Sequence, residues 1–96
     1  MSYRLTDLAE SDFEDIADYI AKRNPRAALE LTRSLIRRWE LLATQPRSGA
    51  LSRELGSDVR HVATGNYVTY YRTDGVDVDI LRIFHGHRDV AADDLG

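Results

Sequence analysis

Three short runs of strand-forming residues, separated by two turn sequences, fill most of the last third of the chain. The runs are Val59–Ala63, Tyr67–Arg72 and Val76–Phe84. The turns are Thr64-Gly65-Asn66 and Thr73-Asp74-Gly75, in which Gly and Asn tolerate the positive φ angles of tight hairpins. Strands joined by such short turns pair with their neighbours in antiparallel order. The sequence therefore predicts an antiparallel meander of three strands.

A short strand and a first helix are predicted at the start of the chain. Ser2–Thr6 is the strand candidate. Asp7 and Glu10 then have the spacing of a capping box, in which each side chain bonds a free backbone N–H of the first turn. Apolar residues follow three or four positions apart, which places them on one helical face. They are Ala9, Phe13, Ile16, Ala17 and Ile20.

A second helix is predicted from Pro25 to about Ala43. Asn24 is expected to cap it, and Pro25 suits the first helical position, where a missing N–H does no harm. Its apolar face is again spaced by three and four, at Ala28, Leu31, Leu35, Trp39 and Leu42. The break before it is so short that the two helices must form an antiparallel hairpin.

The order of these elements predicts one α+β domain spanning residues 1–96. We expect an N-terminal strand and a helical hairpin packed on one face of a mainly antiparallel, roughly four-stranded sheet. Such a chain is long enough for one modest core and too short for a second domain.

The last predicted strand contains a conflict in its apolar pattern. Residues 76–80 alternate, with the valines and Ile80 on one face and two aspartates on the other. If the alternation continues, Leu81 and Ile83 lie on the face that the helices do not cover. We expect them to form an exposed apolar patch of the kind that binds partners. The alternative is a β-bulge, which would restore the inward direction.

Composition limits the class of protein. The chain is 43% hydrophobic and 30% charged, contains no cysteine, and has a net charge of −3. A net acidic chain is not expected to bind nucleic acid directly and specifically. No apolar run approaches the roughly 18 residues of a membrane span, and the first residues lack the apolar run of a secretory signal. We therefore expect a cytoplasmic protein with no membrane association.

The charges are distributed unevenly along the chain. Residues 1–20 carry six acids and one base, whereas residues 21–60 carry nine bases and four acids. The favoured interpretation is that opposite charges of the two helices pair across solvent. The alternative is a basic face, including Arg33 and Arg37, that binds an acidic partner.

Candidate chemistry is concentrated at the end of the last strand. His85 and His87, with His61 and Asp89 as further ligands, form a weak metal-site pattern, so no metal and no other cofactor is predicted. A nuclease that works without metal needs a base, an acid and a cation. Suitable side chains are Arg60, Arg82, Arg88, His85, His87 and Tyr70. Nothing in their spacing requires such a site, so no catalytic residue is assigned.

Several short motifs occur in a fixed order along nearly the whole chain. They are Leu5-Thr6, Asp12-Phe13, Asn24-Pro25, Val59-Arg60, Asn66-Tyr67-Val68, Ile80-Leu81-Arg82-Ile83, His85-Gly86 and Arg88-Asp89. In this order the chain resembles the ParE branch of the RelE/ParE superfamily, the small toxins of bacterial type II toxin–antitoxin modules. The family fold is a helical hairpin on an antiparallel sheet, in agreement with the prediction from periodicity.

The resemblance implies a toxin that a ParD-like antitoxin neutralises in a heterotetramer or larger complex. It also implies growth inhibition by binding DNA gyrase, without enzymatic activity. The expected antitoxin contacts are Arg60, Leu81, Arg82, Ile83, Arg33 and Arg37. The expected target contacts are Arg82, His85, His87 and Arg88. Arginine suits both roles because its guanidinium binds carboxylates in a two-pronged geometry.

Two alternatives come from the same superfamily. RelE-type relatives cut mRNA on the ribosome, and they commonly carry an Arg after the middle-strand Tyr, where this chain has Val68 after Tyr67. They are also strongly basic, whereas this chain is net acidic. The second alternative is an attenuated toxin that acts mainly as an antitoxin-binding partner.

Overall fold

The computed structural model describes residues 2–86 and 88–96. Its strands are β1 (Tyr3–Leu5), β2 (Ala50–Leu51), β3 (Arg60–Thr64), β4 (Tyr67–Thr73) and β5 (Val78–His85). Its helices are α1 (Asp7–Ala21) and α2 (Pro25–Thr44), and short 3₁₀ turns occupy Arg53–Leu55 and Ala92–Leu95. The predicted α+β class, the helical hairpin and the three-stranded meander are confirmed.

The strands form one sheet in the order β1-β5-β4-β3-β2. β1 pairs with β5 in parallel, and the other neighbours are antiparallel. The prediction of roughly four strands missed β2, which lies in a segment expected to be a loop. β2 has two residues, both exposed, so it shows no alternating apolar pattern. It pairs with β3 only opposite Arg60 and His61.

The two helices begin at side-chain caps. Asn24 caps α2 as predicted, since its Oδ1 accepts a hydrogen bond from the Ala27 N–H at 3.1 Å. The predicted capping box at Asp7 is wrong by one residue. Thr6 is the cap of α1: its hydroxyl accepts from the Ala9 N–H at 3.2 Å and donates to the Leu81 carbonyl at 3.0 Å. Within the described residues, neither helix combines the length and apolar character that a membrane span requires.

The main core lies between the helical hairpin and one face of the sheet. Trp39 is 1% exposed and packs against Tyr3 and Phe13, with ring centroids 5.9 and 5.3 Å away. Its indole N–H donates to the buried Thr69 hydroxyl on β4 at 3.1 Å. Because a buried indole N–H without an acceptor would be costly, this bond fixes how α2 sits on the sheet.

A β-bulge in β5 removes the predicted apolar patch. Tyr70 pairs with Arg82 and Tyr71 pairs with Ile80, which leaves Leu81 as the extra residue. The extra residue turns Ile83 inward, so it is 2% exposed in the main core. Leu81 is 6% exposed in a second cluster on the opposite face. The prediction of an exposed patch at these two residues is therefore wrong.

The second cluster explains why the opposite face of the sheet is not bare. Leu81 and Phe84 of β5 are covered there by Leu55 of the first 3₁₀ turn and by Leu95 of the second. All four side chains are less than 9% exposed. The segment after β5 thus folds back over the sheet, so both faces of β5 are buried.

Candidate interaction site

Arg82 is held by an ion pair inside the chain. Its Nε lies 2.7 Å from one carboxylate oxygen of Asp12, and its Nη2 lies 2.9 Å from the other. Its Nη1 donates to the Asp94 carbonyl at 2.6 Å. The Arg82 and Asp12 side chains are 18% and 14% exposed. The hydrogen bonds to Asp12 raise the pKa of Arg82, so its guanidinium stays charged. The guanidinium already binds a carboxylate in the two-pronged geometry.

Asp12 also completes the edge of the sheet. β1 ends at Leu5, so no strand among the described residues pairs with the second half of β5 on that side. The Asp12 carboxylate accepts a hydrogen bond from the Ile83 N–H at 3.0 Å. One acid on α1 therefore joins the helix, the edge of β5 and Arg82.

A cluster of side chains surrounds the end of β5, and we call it the β5-end cluster: Asp12, Arg82, Phe84, Arg88 and Asp94. The guanidinium carbons of Arg82 and Arg88 lie 4.5 and 4.3 Å from the centroid of the Phe84 ring. Arg88 also pairs with the Asp94 carboxylate at 3.3 Å. A hydrogen bond from the Ala91 N–H lowers the pKa of Asp94, and Arg88 lowers it further. Each arginine of the cluster thus contacts both a carboxylate and the ring of Phe84.

The two described histidines, His61 and His85, lie on different strands. His85 ends β5, is exposed, and packs edge-on against Tyr67 with ring centroids 5.5 Å apart. His61 lies on β3, where its Nδ1 is 2.5 Å from the buried Ser52 hydroxyl. His87, the second residue of the His85–His87 pattern, lies outside the described residues. Among the residues that the structure describes, no group of three or more metal-binding side chains occurs.

Arg60 fastens a loop. Its Nη1 donates to the carbonyls of Arg47 and Gly49, at 3.2 and 2.8 Å. The Tyr71 hydroxyl binds the same loop, because it accepts from the Gly49 N–H and donates to the Pro46 carbonyl. Arg60 therefore holds the connection between α2 and β2, and its predicted contact with an antitoxin stays a prediction.

The basic side chains of α2 form no ion pair with any residue that the structure describes. Among the described residues, no ion pair joins α1 to α2, so the favoured interpretation of charge pairing between the helices is wrong. Asp12 of α1 forms its ion pair with Arg82 of β5 instead. Arg33 and Arg37 are exposed, and Arg37 donates a 3.3 Å hydrogen bond to the Ser34 hydroxyl. The alternative of an available basic face gains support.

A groove lies between this face of α2 and the edge of β3. Its volume is about 270 Å³, and its walls include Arg37, Arg38 and Leu41 on the helix with Ala63 and Thr64 on the strand. Leu41 is 57% exposed there. Sequence reasoning assigned Arg37 to a binding face but missed the other four residues. The excess of positive charge on α2 pointed to its arginines as a binding face. The strand residues of the groove had no such signal, because their edge is open only where β2 ends.

The predicted site residues fall into three places. Arg82, Ile83 and His85 lie on the second half of β5, and Arg88 contacts Phe84 of the same strand. Arg33 and Arg37 lie on α2, and Arg60 holds the loop after it. Sequence reasoning gave Asp12 and Asp94 no role, although Asp12 was part of a quoted motif. α1 carries six acidic residues, so no signal in the sequence singled out Asp12.

The arrangement is that of a small toxin fold, a helical hairpin on a mixed sheet with charged groups at a sheet end. The chain belongs to the ParE toxin family of type II toxin–antitoxin systems (parDE), whose model matches residues 3–90. It is similar to a chain of the chromosomal ParDE system from P. aeruginosa, with TM-score 0.74 and 24% identity. It is also similar to a chain of the RelBE2 toxin–antitoxin complex from Mycobacterium tuberculosis, with TM-score 0.57 and 28% identity. Both similarities cover 88% of this chain and 95% of the other. Comparison with curated proteins gives no significant match.

Proposed function

We propose that this ParE-family toxin inhibits bacterial growth by binding DNA gyrase, and that a ParD-like antitoxin neutralises it in a heterotetramer or larger complex. Membership of the ParE family supports the toxin role. The two solved complexes with similar folds support an antitoxin partner. The proposed site of action is the cytoplasm, where replication takes place.

The observation that favours binding over cleavage is that both arginines of the β5-end cluster are already bound to groups within the chain. A ribonuclease without metal needs a cation free to stabilise the phosphate transition state. Arg82 is instead bound to Asp12 through two bonds and to the Asp94 carbonyl through a third. Arg88 binds Asp94 and the face of Phe84. Groups fixed in this way form a rigid surface suited to recognising another protein.

Within this surface the residues have different proposed roles. Arg88 is half exposed and His85 is exposed, so both can reach a target. Arg82 is mostly buried and acts by positioning Phe84 and the segment after β5. His87 stays a predicted target contact outside the described residues. On this assignment, losing Arg88 weakens target binding without opening the core.

The test is induced expression of the chain without antitoxin, with thymidine and leucine incorporation followed in parallel. We expect thymidine incorporation to fall first and co-expression of a cognate ParD-like antitoxin to restore it. Arg88→Ala should slow this fall, whereas Arg26→Ala, which removes an exposed charge from the far end of α2, should not. Equal behaviour of the two variants would remove Arg88 from the toxic surface.

Other outcomes point to the alternatives. An early fall in leucine incorporation would replace the gyrase proposal with RNA cleavage on the ribosome. It would also make Arg82, His85 and Arg88 candidate catalysts. A chain that binds antitoxin but leaves both incorporations unchanged would be an attenuated toxin.

A further inference from the structure

The two helices of the hairpin carry charges of opposite sign. α1 contains six acidic residues and no basic one, whereas α2 contains four arginines and two glutamates. Among the residues that the structure describes, no ion pair joins an acid of α1 to an arginine of α2. The hairpin therefore presents an acidic surface and a basic surface side by side.

Both charged surfaces include residues on the side of the hairpin that faces away from the sheet. Asp12 of α1 binds β5, and Leu35 of α2 is 0% exposed in the main core. Residues two positions apart on an α-helix point about 200° apart, because each residue turns the helix by about 100°. Glu14 and Arg33 therefore point away from the sheet, and both are exposed.

Two exposed apolar side chains lie beside Arg33 on α2. Leu29 is 50% exposed and Ile36 is 37% exposed. Their spacing from Arg33 is four residues and three residues, so the three side chains share one stripe of the helix. The basic surface thus also contains apolar area that a partner can bury.

Glu14 and Arg33 have matching positions in the hairpin. The antiparallel helices are joined at residues 22–24, so these two residues lie about equally far from the connection. A twofold axis parallel to the helices would place α1 of one copy over α2 of another, with each Glu14 opposite the Arg33 of the other copy. A twofold axis across the helices would place acids against acids, which like-charge repulsion disfavours.

We propose that two copies of the chain associate through the outer faces of their helical hairpins, with Glu14 of each copy paired to Arg33 of the other. A second copy is the partner that fits, because it supplies a basic surface for α1 and an acidic surface for α2 in one contact. This self-association goes beyond the proposed function, since it involves neither the β5-end cluster nor a cellular target.

The size of the outer face predicts a weak dimer. α1 has 15 residues, which corresponds to a length of about 22 Å, and two helices side by side are about 20 Å wide. The contact then buries on the order of 450 Å² per copy, about half of what a stable interface buries. We therefore expect a dissociation constant on the order of 100 µM.

Sedimentation equilibrium of the purified chain alone, at concentrations from about 5 µM to 1 mM, measures this dimer. The test variants are the charge reversals E14R and R33E, and the double variant E14R/R33E, which exchanges the two charges. The matched controls are E54R and R53E, which reverse exposed charges on the 3₁₀ turn that covers the opposite face of the sheet. Far-UV circular dichroism and melting temperature verify that each variant folds.

Each single reversal should weaken the dimer about tenfold or more, because one substitution changes two contacts of a twofold dimer and each exposed pair contributes up to about fivefold. The double variant restores opposite charges at both contacts, so its affinity should return to within about threefold of the wild type. The controls should stay within about twofold, because salt screens charges that lie farther than about 8–10 Å from the contact.

Three results would overturn the inference. A chain that stays monomeric up to about 1 mM has no such interface. A dimer that E14R and R33E weaken no more than the controls do uses another surface. Single reversals that weaken the dimer without recovery in the double variant would show that Glu14 and Arg33 do not face each other. None of these results concerns growth inhibition, so the proposed function is tested separately.

Discussion

The ion pair between Arg82 and Asp12 should be worth far more than an ordinary surface pair. We expect Asp12→Ala to destabilise the fold strongly, because it leaves a mostly buried guanidinium without its counter-charge and the Ile83 N–H without an acceptor. Arg82→Ala leaves the Asp12 carboxylate in the same position. The double variant removes both charges and should be less destabilised than the sum of the two single variants.

The expected magnitude follows from burial. Breaking a fully buried pair costs about 3–5 kcal/mol, and the remaining exposure of 18% and 14% reduces this to about 2–4 kcal/mol for each single variant. The lost Ile83 hydrogen bond accounts for about 1 kcal/mol of the Asp12→Ala effect. The coupling energy of the cycle should then be about 2 kcal/mol. For a domain of this size, each 1 kcal/mol lowers the melting temperature by about 4–8 °C.

Urea unfolding followed by Trp39 fluorescence measures these energies. The cycle also cancels the contact between Arg82 and Phe84, which is lost equally in Arg82→Ala and in the double variant. The pair Arg4–Asp79 is the matched control: it has a similar 2.7 Å distance but an 83% exposed arginine, so no measurable coupling is expected. A coupling below about 0.5 kcal/mol at Arg82–Asp12 would refute the reasoning, since that is the range of solvated pairs.

Three further predictions concern stability. Ile83→Ser should lower the free energy of unfolding by about 3 kcal/mol, and Leu81→Ser by somewhat less, because both side chains are buried. If urea unfolding shows either variant to be as stable as the wild type, that residue belongs to an exposed patch after all. Gly49→Ala should destabilise the fold, because a Cβ would lie 2.5 Å from the Tyr71 hydroxyl oxygen; an unchanged melting temperature would mean that the loop shifts freely. The fold lowers the pKa of Asp94 from its ordinary value of 3.8. The ionised carboxylate therefore stabilises the fold fully at pH values well above 3.8, and this stabilisation is lost as the pH falls below 3.8. The melting-temperature difference between wild type and Asp94→Ala should therefore be constant from pH 5 to 7 and shrink below pH 3.8, and a difference that grew with acid would contradict this sign.

The elements that depend on local pattern could be predicted from the sequence. The helices followed from spacings of three and four, and the meander followed from alternating runs with turn residues. Asn24 was found because a cap and the following proline are neighbours in sequence. The bulge at Leu81 could not be found in this way. The alternating pattern breaks there, but only packing against the helices and the chain end decides which face receives each residue.

The site was less predictable because it depends on contacts between distant residues. Arg82 stood out as a basic residue after an apolar strand, but its partner Asp12 is 70 positions away. The chain end that covers Leu81 carries no periodic signal. The groove beside β3 exists because β2 stops after two residues, a feature too short to leave a pattern.

The most direct test of the central claim is a supercoiling assay with purified DNA gyrase and relaxed plasmid. The chain should block supercoiling in a dose-dependent way, and a cognate ParD-like antitoxin, added in equal amount, should restore it. Supercoiling that continues unchanged at concentrations where the antitoxin still binds the chain would contradict gyrase as the target.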